Sequence, residues 1–281
     1  MSDELGRLAR LGWIAPEAAA DGVRYVASID GTSISYPTEG YEAFGHDGGS
    51  GFWFDHRAEA VRRHVERLGI ASMWEVGAGT GAMAKRLRES MAEVTTVEPL
   101  AAGARASAAL GLTSLCGTLQ DLQLPDGSLE SIGVFDMLEH VEDPKPLFAE
   151  IHRVLRPAGV VIATVPAFQV LWGDEDDAAG HHRRYRRSTL EAEFQASGFT
   201  LIRSEYLYAS LVVPAGLLRA LPYRLGRRSS REAVLHSIRN QLQTRPMIDR
   251  VARTVLTAER AVANVVPLPF GLTVLGVFRK P

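Results

Sequence analysis

A glycine-rich turn bordered by acidic side chains is the part of the sequence best suited to binding a ligand. The stretch MWEVGAGTGAMAKRL, residues 73–87, has the pattern of a buried strand, a turn and a helix. Gly77, Gly79 and Gly81 leave the turn without side chains, so a ligand can approach its backbone N–H groups. Glu75 lies at the end of the strand before the turn, and Glu98 ends the next predicted strand. This pattern predicts a site built from bare backbone and two carboxylates.

Two ligands are common at such a turn. Gly77, Gly79 and Ala82 satisfy the Gly-x-Gly-x-x-Gly/Ala pattern that binds the pyrophosphate of a nicotinamide dinucleotide. The alternative is S-adenosylmethionine, whose carboxylate can rest on the same N–H groups. Glu75 favours the second ligand, because a carboxylate there repels a pyrophosphate but attracts the ammonium of a methionine moiety. Glu98 could accept both ribose hydroxyls of either ligand. A plain turn flanked by surface acids remains a third alternative.

Alternating strand and helix patterns predict the elements that position these groups. Helices and strands in alternation form a parallel sheet covered on both faces, with ligands beyond the carboxyl ends of the strands. The predicted strands are residues 70–76, 93–98, 112–117, 131–137, 159–165, 199–206 and 271–280, and the predicted helices are 57–69, 81–91, 100–110, 143–159 and 188–198.

Several ordered motifs resemble one enzyme family. WEVGAGTG, TVEP, LPDGSLESIGVFDMLEHVEDP and LRPAGVVIATVP are similar to class I S-adenosylmethionine-dependent methyltransferases. More narrowly, they resemble the small-molecule and glycan type that carries a Leu-Glu-His motif after the fourth strand. The likeness covers about residues 57–200 and returns in PFGLTVLGVFRK. It implies an α/β, Rossmann-like, seven-stranded, mostly parallel sheet with helices on both faces, whose last strand is antiparallel and pairs with 199–206.

The same resemblance implies roles for individual residues. The methionine end of S-adenosyl-L-methionine would be held by Glu75, Gly77, Ala78, Gly79 and Gly81. Its ribose would contact Glu98 and Pro99, and its adenine would contact Thr118 and Leu119. Asp136, Met137 and Leu138 would lie near its sulfonium. The family usually has an acid at the position of Thr118. Thr118 or Gln120 could offer an oxygen to the adenine instead.

The candidate catalytic residues follow the fourth and fifth strands. His140 is suited to act as a base, since an unperturbed imidazole titrates near neutral pH; a purely structural role and a role for Glu139 stay open. The loop 166–187 adds Asp174, His181 and His182. It is interpreted as a loop that caps the substrate, a metal site, or a solvated ion-paired loop. No metal is expected, because the spacing matches no established ligand motif.

The composition of the chain limits the partners and the cellular location that we expect for it. The net charge of −2 in 281 residues gives no sign of nucleic-acid binding. The single Cys116 excludes an internal disulfide and fits a cytoplasmic location. The N-terminal residues lack the apolar core of a secretory signal. Residues 206–223 are apolar but contain Pro214 and Arg219, so they are not expected to span a membrane.

The expected organisation is an N-terminal lid or cap, 1–56, and a methyltransferase domain, 57–281, with a helical insertion at 207–268. The lid would use an aromatic group: Tyr41, Phe44, Phe52, Trp53 and Phe54. The insertion is interpreted as a cap, a homodimer interface or, through 206–231, a membrane-surface element. The function expected is O-methylation of a small molecule or glycan. The alternatives are N- or C-methylation, a lipid-linked acceptor, a nicotinamide-dependent oxidoreductase and a non-catalytic binding module.

Overall fold

One eight-stranded sheet organises the protein. The computed structural model describes residues 3–26, 51–230, 233–234 and 246–281. The strands are β1 Val23–Tyr25, β2 Ser72–Val76, β3 Glu93–Glu98, β4 Thr113–Cys116, β5 Leu129–Phe135, β6 Leu155–Pro166, β7 Thr200–Leu207 and β8 Thr273–Arg279. Their order across the sheet is β1-β4-β3-β2-β5-β6-β8-β7. β8 is antiparallel to both of its neighbours, and the other pairs are parallel.

Helices cover both faces of this sheet. They are α1 Asp3–Arg10, α2 Phe52–Leu68, α3 Ala82–Leu87, α4 Ala101–Ala109, α5 Lys145–Val154, α6 Asp174–Ala179, α7 Arg187–Ala196, α8 Val212–Ala215, α9 Leu221–Arg224 and α10 Pro246–Ala263. A π-helical turn, Gly216–Ala220, joins α8 to α9. Successive strand residues point to opposite faces: Trp74 belongs to the core that includes α5 and α7, and Met73 to the core that includes α2 and α3.

The sequence predicted this architecture, with one strand too few. The extra strand, β1, pairs in parallel with β4, with Val23 opposite Ser114. Three residues are too short to show the alternation by which a strand is recognised. The end of the predicted helix 143–159 also differs, because residues 155–159 begin β6. Pro157 lies there between the pairs Leu129–Leu155 and Ser131–Val160, where the register shifts.

The insertion of β8 between β6 and β7 confirms the expected antiparallel hairpin. Val161 lies opposite Phe278 on one side, and Leu201 lies opposite Phe278 on the other. Thus β8, the last of these strands in the chain, lies inside the sheet, with β7 outside it at the edge.

Residues 1–2 and 27–50 of the expected N-terminal lid, Tyr41 and Phe44 among them, lie outside the described residues. Trp53, in the first turn of α2, stacks on Tyr208 with ring centroids 3.9 Å apart. The Tyr208 hydroxyl donates a hydrogen bond to the Trp53 carbonyl. Asp55 of α2 forms an ion pair with Arg253 of α10 at 2.6 Å. These contacts tie the start of α2 to the segment between β7 and β8.

That segment exposes an extended apolar surface. The exposed side chains are Val213, Leu217, Leu218, Leu221 and Leu225 along α8, the π turn and α9, and Met247, Ile248, Val251, Val255 and Val262 on α10. Among the residues that the structure describes, no helix has the length and apolarity needed to cross a bilayer. Membrane-surface contact through 206–231 and homodimer formation both stay predictions.

Phe194 provides a test of how the sheet is held against α7. Its ring is fully buried and stacks on Phe278 at 4.0 Å, with Phe148 at 4.6 Å. We expect Phe194→Ala to lower the free energy of unfolding by about 3–5 kcal/mol. The substitution would leave a cavity between α7, α5 and β8, which the surrounding side chains can fill only in part. Urea denaturation measures this free energy. Gln195→Ala, at the exposed neighbouring position, should change it by no more than about 0.5 kcal/mol; equal effects would contradict the packing described.

Candidate functional site

The glycine turn lies between β2 and α3, at the carboxyl edge of the sheet. Gly77, Gly79 and Gly81 all have positive φ, of 71°, 56° and 78°. Glycine adopts this conformation without strain. A Cβ at Gly77 would lie 2.3 Å from Cγ of Met137, so the loop after β5 packs directly against the turn. The bare backbone predicted from the sequence is therefore formed, and Met137 lies beside it.

Glu98, at the end of β3, is bound to this turn. One carboxylate oxygen accepts a hydrogen bond from the Gly79 N–H at 2.8 Å, and the other accepts one from Leu100 N–H at 2.9 Å. Each carboxylate oxygen has a second lone pair. Glu98 can therefore accept ribose hydroxyls while it still holds the turn.

Glu75 lies below the turn and is almost completely buried. Burial raises the pKa of this carboxyl to about 8, although the charge of Arg57 and a backbone hydrogen bond from Ala84 act in the opposite direction. Its Oε2 atom has no hydrogen-bond partner. Glu75 is thus a buried acid with spare capacity to bind a cation.

Arg57 of α2 is the buried cation at this edge, and the sequence analysis did not identify it. Its guanidinium forms an ion pair with Asp136, and burial lowers the pKa of Arg57 while the charges of Glu139 and Glu75 oppose that change. Arg57 lies four residues before Val61 in the sequence, on the apolar side of α2. A charge within an apolar stripe was the signal that could have revealed it.

The loop after β4 supplies an acid that the sequence analysis missed. Asp121 accepts hydrogen bonds from both the backbone N–H and the hydroxyl of Thr118, at 2.9 and 2.6 Å. Leu119 is buried, and Gln120 is exposed. Asp121 therefore places a carboxylate beside the position where the family usually has one.

The loop after β5 begins with a strained residue. Asp136 has a φ of 50°, which non-glycine residues rarely adopt. Its carboxylate accepts a hydrogen bond from Thr164 at 3.1 Å and pairs with Arg57. Leu138 is fully buried and begins a 3-10 turn that ends at His140. These contacts hold Asp136, Met137 and Leu138 against the glycine turn.

Glu139, His140 and His181 come together just beyond this loop, and we call them the histidine–carboxylate cluster. Their potential ligand atoms all lie within 4.8 Å of one another. The two imidazole rings meet edge to face, with centroids 4.7 Å apart. Burial raises the pKa of Glu139 to about 8. Burial, together with the charges of His181 and His182, lowers the pKa of His140 to about 3.

Asp176 of α6 orients His181, and the sequence analysis did not single it out. Its carboxylate lies 2.8 Å from Nδ1 of His181 and accepts two hydrogen bonds from Arg184, at 2.8 and 2.9 Å. Burial alone raises the pKa of Asp176, but the hydrogen bonds from His181 and Arg184 outweigh it and lower the pKa below its usual value. Asp176 is thus a buried carboxylate that stays ionised and holds one face of His181.

The structure separates two other candidates from the cluster. Asp174 accepts a hydrogen bond from the backbone N–H of Ser229 at 2.9 Å and lies 3.8 Å from Arg228. The side chain of His182 is exposed, although its backbone N–H donates to the Glu139 carbonyl at 2.8 Å. Asp174 therefore faces the segment after β7, and the His182 side chain lies outside the cluster and acts on it only through its charge.

The arginines of HHRRYRR bind the protein itself. Arg183 donates hydrogen bonds to the carbonyls of Val141 and Glu142, and Arg184 is paired with Asp176. Tyr185 is buried, with its hydroxyl 3.5 Å from the Leu138 carbonyl. This run fastens the loop after β6 onto the loop after β5.

Known proteins match the part of the chain that carries the glycine turn and the loops after β3, β4 and β5. A family model described as a methyltransferase domain matches residues 74–163. A probable S-adenosylmethionine-dependent methyltransferase of Mycolicibacterium smegmatis is 28% identical over 117 residues, which are 41% of this chain and 46% of that protein. The chain thus spans less than half the length of the curated relatives it matches.

Solved structures share the fold over most of the chain. A putative sarcosine dimethylglycine methyltransferase from Galdieria sulphuraria superposes with a TM-score of 0.52 at 18% identity, covering 85% of this chain and 96% of that one. Phosphoethanolamine N-methyltransferase 2 of Haemonchus contortus, solved with S-adenosyl-L-methionine, gives a TM-score of 0.51 at 16% identity, with coverages of 89% and 59%. At these identities the likeness concerns the fold alone. The matching domain and the curated relative thus make this chain similar to S-adenosylmethionine-dependent methyltransferases, and the solved structures show that it shares their fold.

Proposed function

We propose that this protein transfers the methyl group of S-adenosyl-L-methionine to an oxygen atom of a small-molecule or glycan acceptor. The observation that carries the proposal is the pair of carboxylates on the glycine turn. Glu98 is fixed to Gly79 where a ribose would lie, and Glu75 is buried next to the turn with an unpartnered oxygen. These acids suit a cofactor that has a diol and an ammonium, and they disfavour a pyrophosphate.

The reaction depends mainly on aligning the acceptor oxygen with the methyl carbon–sulfur bond of the cofactor. The acceptor oxygen attacks the methyl carbon in line with the carbon–sulfur bond, and the electron pair of that bond moves to sulfur. The hydroxyl proton leaves, and neutral S-adenosylhomocysteine remains. Because the sulfonium is already electrophilic, the protein contributes mainly by positioning the two reactants and excluding water.

The histidine–carboxylate cluster supports an oxygen acceptor. Glu139 and His140 follow Leu138 directly, and imidazole and carboxylate groups form hydrogen bonds with hydroxyls. The pKa of His140, lowered to about 3, makes this imidazole a weak base, so the cluster would position the hydroxyl rather than rely on His140 to deprotonate it. The competing acceptors are a nitrogen or a carbon atom. Transfer of a ¹³C-labelled methyl group to the small-molecule fraction of a cell extract should therefore give products whose methyl carbon has the chemical shift of a methoxyl group. Products with only N-methyl or C-methyl signals would reject the oxygen assignment.

Cofactor binding is the direct test of the family-level proposal. In calorimetric titrations we expect saturable binding of S-adenosylhomocysteine and none of NAD(H). Glu98→Gln should weaken that binding by about tenfold or more, since a hydrogen bond to a charged group contributes about 1.5–3 kcal/mol. Glu89→Gln, an exposed acid after α3, should leave it unchanged. Folded protein that binds NAD(H) instead would support the oxidoreductase alternative.

Glu75 should make cofactor binding release a proton. With a pKa raised to about 8, this carboxyl is protonated in the free protein at neutral pH. An ammonium beside it favours the ionised form, so binding at about pH 6.5 should release about one proton and binding above about pH 9 should release none. Calorimetry in buffers of different ionisation enthalpy measures the release. Glu75→Gln should abolish it; identical heats in all buffers for the unaltered protein would show that no ammonium binds there.

A further inference from the structure

We propose that the histidine–carboxylate cluster, Glu139, His140 and His181, binds a divalent transition-metal ion. All three possible ligand atoms lie within 4.8 Å of one another. Two imidazoles and one carboxylate are a common ligand set for Zn²⁺ and for non-haem Fe²⁺. From the sequence, a metal site was weighed only within the loop 166–187, because His181 reaches Glu139 and His140 only through the fold.

The spacing within the cluster fits an ion better than it fits a direct hydrogen bond. Nε2 of His181 and Oε1 of Glu139 are 3.9 Å apart. This separation is too long for a hydrogen bond. Two ligand atoms that bind one ion at about 2.0–2.2 Å lie about 3.3–3.6 Å apart in tetrahedral geometry, so a small movement of either side chain would let one ion bind both. An ion between them would therefore satisfy both groups.

The Glu139 carboxylate also lacks a partner on its second oxygen. The residue is almost completely buried, and its Oε2 atom makes no hydrogen bond. A buried polar atom without a partner is costly and calls for an explanation, of which an ion is one. A bound metal ion would remove this cost, because the unpartnered carboxylate oxygen would then coordinate the cation.

The groups behind the imidazoles prepare them as ligands. The Asp176 carboxylate lies 2.8 Å from Nδ1 of His181, so a proton on Nδ1 leaves the lone pair of Nε2 directed toward Glu139. Arg184 in turn fixes Asp176 through two hydrogen bonds. A carboxylate that accepts from the far nitrogen of a histidine is the usual outer-shell arrangement of metal sites. His140 is similarly held by a hydrogen bond with the backbone of Ala179.

The role of the ion in catalysis rests on the proposed function. An ion with three protein ligands keeps at least one open coordination position. Because Glu139 and His140 follow Leu138 directly, that position is suited to an acceptor hydroxyl, whose oxygen the ion would orient and whose proton it would make more acidic. Metal binding itself does not depend on this role and can be measured without an acceptor.

Cobalt(II) provides a probe with its own signal. The full-length protein is treated with a chelator, freed of it, and titrated with Co²⁺. We expect one Co²⁺ per chain, visible ligand-field absorption bands, and displacement by Zn²⁺. His181→Ala and Glu139→Gln should abolish the bands. Asp176→Asn, which removes the charge that holds His181 and Arg184 but none of the three ligands, should lower the affinity about 10- to 100-fold. His182→Ala is the matched control, because its exposed side chain lies outside the cluster, and it should retain the spectrum.

The outcomes separate this inference from the proposed function. If the folded protein takes up no Co²⁺, or if His181→Ala binds it as well as His182→Ala does, the metal site is rejected. S-adenosylhomocysteine is titrated into the same chelator-treated protein. If it binds although Co²⁺ does not, the methyltransferase proposal stands alone. If Co²⁺ binds and the cofactor analogue does not, the metal site stands and the proposed function fails. Circular dichroism confirms that each variant is folded.

Discussion

Several carboxylates are gathered at one edge of the sheet, largely out of water, and the rest of the site depends on how their charge is accommodated. Removing an ionised carboxyl from water is expensive unless it is paired. Glu98 is compensated by two backbone N–H groups, and Asp136 by Arg57. Glu75 and Glu139 lack equivalent partners, so burial raises the pKa of each to about 8. The edge is therefore short of positive charge, which is what a sulfonium cofactor with its ammonium, or a divalent ion, would provide.

Short-range patterns predicted most of the fold. The apolar stripes of α2 and α5, the Ser and Gly residues that bound α7, and the turn at Gly77, Gly79 and Gly81 are local features, and each was identified from the sequence. The short strand β1 was missed, because three residues cannot display a period. The end of α5 was placed too late, although Pro157 is a local signal that ends a helix before it.

The site was harder to predict, because its parts come from distant positions in the chain. Asp174 was chosen from the acidic run 174–177, but Asp176 is the acid that contacts His181. A helix of six residues directs its acids to different sides, and only the fold decides which side faces the cluster. Asp174 and Asp177 instead contact the segment after β7, through Ser229 and Tyr223. The same short helix thus joins the candidate acceptor site to the helical insertion.

The position of β8 has a consequence for how the protein is made. β8 is the last of the eight strands to leave the ribosome, yet it lies between β6 and β7. Until residues 273–279 emerge, two long strand edges have no partner and can pair with another chain. Incomplete chains that lack β8 therefore expose strand edges that the finished sheet covers, and are more open to aggregation than the complete fold.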